Sequence, residues 1–198
     1  MECFMPDLTL WLVRHGETEV NSGVFSVKPN ETRLTAKGIE QAQQGAAEVI
    51  ARPDLFIISP LLRAQQTGQF YLKKWPQSDV LILPIQEFLY LSPQKLEALS
   101  PEERKREIND YWLRADPSYC DSIETESFAL FLARVAAFHE ELLKHKGYVV
   151  SIGHGQFFKA FLLGLEYGFN LTSHWMSKYR QQESTMPINN GEIIKLAL

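Results

Sequence analysis

Apolar positions along the chain follow two patterns. Short continuous runs rich in Leu, Val and Ile occur at residues 8–13, 55–58, 80–83 and 147–152, each bounded by turn residues. Such runs predict strands buried on both faces. Between them apolar residues recur at helical spacing. One helix is predicted from Thr35, a suitable N-cap, through Ala42, Ala46 and Ile50, stopping before Pro53. Gly38 in its first turn costs helix propensity and marks a close backbone approach. A second helix is predicted to start at Ser59-Pro60 and run to about residue 75. A third, from about 126 to 146, carries the stripe Phe128, Phe131, Leu132, Val135, Phe138 and Leu142, with Gly147 as its stop. Residues 157–165 form a fourth, broken near Gly168, and a polar amphipathic segment follows over 171–181. A turn containing Pro187, Asn189, Asn190 and Gly191 leads to a last strand over 192–196. Residues 21–33 read as a loop. From 92 to 125 the pattern turns irregular and charged, with helix starts at Ser92-Pro93 and at the capping box Ser100-Pro101-Glu102-Glu103. Strands alternating with helices predict an α/β protein: a three-layer α/β/α sandwich around a mainly parallel sheet, with a helical insertion at about 92–125, in a single domain over 1–198.

Two strand runs stop in the same way. The first ends in Arg14-His15-Gly16 and the last in Gly153-His154-Gly155, while the run at 55–58 leads to a helix whose first turn holds Arg63. In an open α/β sheet the carboxyl ends of the strands are where ligands bind. Alone, His15 could be a loop histidine; three strand ends delivering His, Arg and His describe a cationic cleft. Glu87 lies just past the strand at 80–83, among Pro84, Ile85 and Phe88, where desolvation could hold its carboxyl protonated. Its bland alternative is an exposed edge glutamate. His139, His145 and His174 lack a partner at ligand spacing and read as structural or incidental.

Composition narrows the function classes. With 198 residues and 45% hydrophobic content, the chain suffices for one well-buried core. A formal net charge of −4 argues against nucleic acid as a partner. The apolar runs fall far short of a membrane span, and the N-terminal region, with Glu2 and Asp7, lacks a signal-peptide pattern. Cys3 and Cys120 show no metal or redox spacing, which suits a reducing compartment and predicts a cytoplasmic location. No Asp, His and Cys cluster offers a metal-ligand set by spacing, so the expected chemistry uses neither metal nor cofactor. Arg104, Lys105 and Arg106 read as a solvated face, with substrate contact as the alternative.

Taken together, Arg14-His15-Gly16, the stretch Ser59-Pro60-Leu61-Leu62-Arg63-Ala64-Gln65-Gln66-Thr67, and His154-Gly155 resemble, in this order, the motifs of the histidine phosphatase (phosphoglycerate mutase-like) superfamily. The resemblance runs from about Leu8 to the C-terminal region. It implies a metal-independent phosphatase that hydrolyses a phosphomonoester through a phosphohistidine on His15. Arg14, Arg63 and His154 would clamp the phosphoryl oxygens, and Glu87 would be the acid that protonates the departing oxygen. It also suggests Asn21 and Thr18, and the Gly155 backbone, as phosphate-side contacts; stabilising the loop is an equal alternative for Asn21 and Thr18. The substrate would be a phosphorylated small molecule or a phosphoprotein.

Three departures from the family pattern bear on function. Val20 stands where an aromatic residue is usual, residues 29–33 replace a Gly-Trp segment of the mutases, and Phe88-Leu89-Tyr90-Leu91-Ser92-Pro93 replaces the glycine-spaced continuation after the acid. The second and third weaken a phosphomutase reading and favour a phosphatase. A phosphomutase and a non-catalytic phosphate-binding domain remain the competing classes; neither the substrate nor the oligomeric state is legible.

Overall fold

All five strands join one sheet. The computed structural model describes residues 7–198 except Phe25 and Val27, so Cys3 lies outside the described residues. The strands are β1 (Leu8–Arg14), β2 (Leu55–Ile58), β3 (Asp79–Ile82), β4 (Gly147–Gly153) and β5 (Ile193–Ala197). They lie in the order β3-β2-β4-β1-β5, with every pairing parallel except that of β1 with β5. The chain crosses between the central strands through helices that cover both faces, as parallel pairing requires.

Alternation along the strands assigns those faces. Val13, Phe56, Ile58, Val150 and Ile152 pack with α1 (Ala36–Glu48) and α2 (Leu62–Lys74). Leu10, Leu12, Ile57 and Val149 face the opposite way, toward α5 (Phe128–Leu142) and α6 (Gly155–Tyr167), whose Phe128, Phe131, Phe157 and Phe161 are fully buried. Burying each of these rings contributes about 1.5–3 kcal/mol, so this aromatic layer is the larger share of the core. Trp175 and Tyr179 of α7 (Ser173–Thr185) close it from outside.

Residues 92–125 hold α3 (Pro93–Glu97) and α4 (Pro101–Arg114). Ser92 caps the first, and Ser100 and Glu103 form the predicted capping box on the second. Tyr111 and Trp112 of α4 pack on Phe88, which anchors this segment beside the strand ends.

Three element boundaries differ from the sequence pattern. α2 begins at Leu62 rather than at Ser59-Pro60, because Ser59 continues the strand by donating its N–H to the Ile152 carbonyl. α5 ends at Leu142, well before Gly147, which instead opens β4 with φ +84°. A Cβ there would lie 2.3 Å from the Asp54 carboxylate, which accepts the Tyr148 N–H. The loop at 21–33 contains a 3₁₀ turn, Pro29–Glu31.

Gly38 is the close approach that its position predicted. A Cβ on Gly38 would lie 2.0 Å from the Glu17 carbonyl oxygen, and one on Gly16 would lie 2.1 Å from the Gly38 carbonyl oxygen. The loop after β1 thus sits directly on the first turn of α1. Gly38→Ala gains about 1 kcal/mol of helix propensity but forces two backbone segments apart, an overpacking cost of about 1–3 kcal/mol. A lower urea midpoint with unchanged m-value is the expected outcome; a variant as stable as the parent would show that the approach is not tight.

Candidate active site

In-register pairing of β1 with β4, from Leu8↔Gly147 to Arg14↔Gly153, brings both His-Gly turns to one edge of the sheet. The His15 N–H donates to the Gly153 carbonyl at 3.0 Å, and the imidazoles of His15 and His154 meet edge-on with centroids 5.0 Å apart. β2 pairs with β4 on the other side, so Ser59 arrives beside His154 and its hydroxyl lies 2.8 Å from His154 Nε2. The serine that reads as a helix cap is therefore a partner of the second histidine.

His15 is 2% exposed, and its Nδ1 lies 2.7 Å from the Gly16 carbonyl oxygen. An oxygen acceptor there requires a proton on Nδ1, which leaves a lone pair on Nε2. Arg63, in the first turn of α2, donates its Nε–H to that lone pair at 3.1 Å. Burial, reinforced by the Arg63 and Arg14 cations, holds the His15 pKa well below its ordinary value of 6.5. His154 is held neutral the same way, by burial and then by Arg63, His15 and Arg14. Thr67 links this group: its hydroxyl accepts the Gly16 N–H and donates to the Arg63 carbonyl.

Glu87 comes from the segment after β3. Ile85 and Phe88, both buried, pin the chain on either side of it. Its Oε1 accepts the Gln156 N–H at 2.9 Å, and Oε2 lies 3.9 Å from His154 Nδ1. Desolvation raises its pKa above the usual carboxylate value even though Arg14 and Arg63 oppose the shift. This is an inward carboxyl and not an edge glutamate. Glu17, nearer to His15 in sequence, is turned away: its carboxylate binds Thr35 and Lys37, which hold its pKa down.

Arg14, whose Nη1 donates to the Ile188 carbonyl, has a buried Nε without a partner among the described residues. Gly155 makes room for it, since a Cβ there would lie 3.2 Å from Arg14 Nε. Asn21 ties its loop together: its side-chain oxygen accepts from Thr18 N–H, Thr18 Oγ1 and Asn190 Nδ2, and the residue also lines the cleft. Arg104 is turned to the Leu96 and Glu97 carbonyls, and neither Lys105 nor Arg106 lines the cleft.

Two contributors were not foreseen. Arg134 of α5 donates to the Glu126 carboxylate and to the Pro84 and Gln86 carbonyls, so it holds the chain that presents Glu87. Its signal was faint: a lone cation inside an aromatic helical stripe. Asn190, read only as a turn residue, donates to the His15 carbonyl. The expectation that no metal-ligand set exists is also corrected: donors of His15, Glu87 and His154 lie within 4.8 Å of one another, a cluster that sequence spacing conceals. Two guanidinium groups share this site, an arrangement suited to an anion and electrostatically opposed to a cation.

The group lines a cavity of about 470 Å³ shared by His15, Arg63 and Glu87, and Arg14, Glu87 and Lys159 line a neighbouring recess of about 230 Å³. No helix among the described residues is long and apolar enough to cross a membrane.

Residues 10–188 match the family model of the histidine phosphatase superfamily, branch 1. The chain is 43% identical over 79 residues to an adenosylcobalamin/alpha-ribazole phosphatase of Escherichia coli, covering 39% of this chain and 38% of that protein. It is 34% identical over 82 residues to a 2,3-bisphosphoglycerate-dependent phosphoglycerate mutase of Parvibaculum lavamentivorans, covering 40% of this chain and 39% of the relative. These alignments thus span about two fifths of each curated relative's length. The crystal structure of the alpha-ribazole phosphatase from Shigella flexneri superposes with a TM-score of 0.69 at 25% identity, over 94% of this chain and 89% of that one. A match over residues 10–188, with its motifs meeting at one edge of the sheet, makes this chain a member of the histidine phosphatase superfamily.

Proposed function

We propose that the chain is a metal-independent phosphomonoesterase that works through a phosphohistidine on His15. One observation carries this reading: the Nδ1 contact with the Gly16 carbonyl, which leaves the Nε2 lone pair directed at Arg63. A buried, neutral imidazole with its lone pair beside two guanidinium groups is a nucleophile placed next to an oxyanion clamp. Residues from Arg14 to Asn190 contribute, which supports the chain working as one catalytic domain. The unpaired, exposed Cys120 and the sparse cysteine usage support a cytoplasmic location. A phosphorylated small molecule is the proposed substrate.

Arg14, Arg63 and His154 bind phosphoryl oxygens, and once an oxygen takes the Arg63 donor, the His15 lone pair is free to attack phosphorus in line. The P–O bond to the alcohol breaks, its electron pair goes to the departing oxygen, and the protonated Glu87 supplies the proton. The resulting Glu87 carboxylate then takes a proton from water as that water attacks the phosphohistidine. The P–N bond breaks, its electron pair returns to Nε2, and inorganic phosphate leaves.

His15→Ala is expected to abolish phosphate release with the fold retained, and the trapped parent adduct should be acid-labile and alkali-stable. Phosphate trapped on His154 or on a serine would refute the assignment of the nucleophile. Because two arginines supply the positive charge, activity should survive EDTA; loss restored by one divalent ion would assign the His15, Glu87 and His154 cluster to a metal instead.

Glu87→Gln should slow hydrolysis of an alkyl phosphate about 10²–10⁴-fold more than that of p-nitrophenyl phosphate, whose phenolate leaves unaided. Equal small losses on both would exclude proton transfer by Glu87. The pH profile follows the same groups. His15 is held neutral below its usual pKa of 6.5, so the acid limb of kcat/KM should lie below that pH. Activity on the alkyl ester should fall as pH rises through the raised pKa of Glu87, and Glu87→Gln should flatten that basic limb.

A further inference from the structure

The alcohol side of the cleft has a definite chemical character. Leading away from His15 and Arg63, the cavity of about 470 Å³ is walled by Val20, Leu61, Phe88 and Leu89. That volume is in the range of small-molecule sites and exceeds what a phosphoryl group needs. Apart from the phosphoryl-binding group, its charged lining residues among those described are Glu124, Glu126 and Arg134.

Arg134 offers nothing to an anionic substrate. A guanidinium has five N–H donors. Here Nε and one Nη2 hydrogen go to the Glu126 carboxylate, at 3.0 and 2.5 Å. The second Nη2 hydrogen and one from Nη1 share the Gln86 carbonyl, and the last reaches the Pro84 carbonyl at 2.6 Å. The cation and Glu126 neutralise each other. Glu124 stays as an exposed carboxylate with no salt-bridge partner among the described residues. The wall facing the alcohol is therefore apolar with a net negative rim.

Resting on the phosphatase reading above, we infer that the substrate is a phosphomonoester of an uncharged, partly apolar alcohol, and that esters carrying a second anionic group on the alcohol are disfavoured. Apolar surface against Val20, Leu61, Phe88 and Leu89 supplies affinity. Thr125 and Asn30, also on the wall, can hydrogen-bond hydroxyl or amide groups. A carboxylate on the alcohol would meet Glu124 and find Arg134 already saturated. Selection against it is repulsive, the element that specificity commonly needs.

A matched ligand pair tests this. Phenyl phosphate and 4-carboxyphenyl phosphate differ by one charge, and calorimetric titration of His15→Ala measures their binding without turnover. Phenyl phosphate should bind about tenfold tighter, the low end for like charges because Glu124 is exposed. Glu124→Lys, introduced in the His15→Ala background, should close or invert that gap, and raised salt should narrow it. Equal or tighter binding of the carboxylate, an unchanged ratio in the Glu124 variant, or no binding of either ester would overturn the inference. Phosphate release by the parent protein from phenyl phosphate is assayed in parallel. Its absence alongside the expected binding ratio would remove the catalytic reading while leaving the character of the bound ester as inferred.

Discussion

Everything at the site depends on the parallel, in-register pairing of β1 with β4. Because Arg14 is paired with Gly153, the next residue on each strand is a histidine, and both leave the sheet at the same level. A one-residue slip would turn His15 or His154 to the opposite face of the sheet. The register is held from both ends: Gly147 N–H donates to Asp7 at the start, and His15 N–H to Gly153 at the finish. Buried apolar residues on both faces add their own cost to any slip. The geometry of the site is thus a consequence of sheet packing, and the loops add only what the strand ends cannot supply.

Burial sets the chemistry of the groups so placed. Two imidazoles, one carboxyl and two guanidinium groups share a largely buried site, and full ionisation of all of them would be costly. The structure resolves this by keeping both histidines neutral and by favouring the protonated form of Glu87. A neutral imidazole and a carboxyl biased toward protonation suit the nucleophile and the general acid proposed above. The positive charge that survives belongs to the arginines, whose basicity outlasts burial, and it suits an anionic ligand.

The surrounding contacts restrain these groups more than they add charge. Thr67 ties the Gly16 amide to α2, Ser59 orients His154, and Arg134 binds the carbonyls on either side of Ile85, just ahead of Glu87. A group held on several sides has little freedom left to lose on binding a ligand, so the site is organised in advance. Arg134 serves two walls at once: its donors hold the chain next to Glu87 and pair with Glu126, so its charge is matched within the cavity lining.

The sequence alone determined the layered α/β architecture and the identities of His15, Arg63 and His154. Hydrophobic periodicity is local, and each of these residues lies at or just past the end of a legible strand. Thr35 and Ser100 were legible as caps for the same reason, since a cap acts within its own turn. What the tertiary structure decided was everything that depends on distant segments. Ser59 serves His154 instead of capping α2 because β4 lies beside it, and Arg134 matters only because α5 passes the chain bearing Glu87. The clustering of His15, Glu87 and His154, and with it the burial that shifts the pKa of each, arises from residues up to 139 positions apart in the chain. No spacing rule reads that separation; only the strand order and register bring these side chains within 4.8 Å of one another.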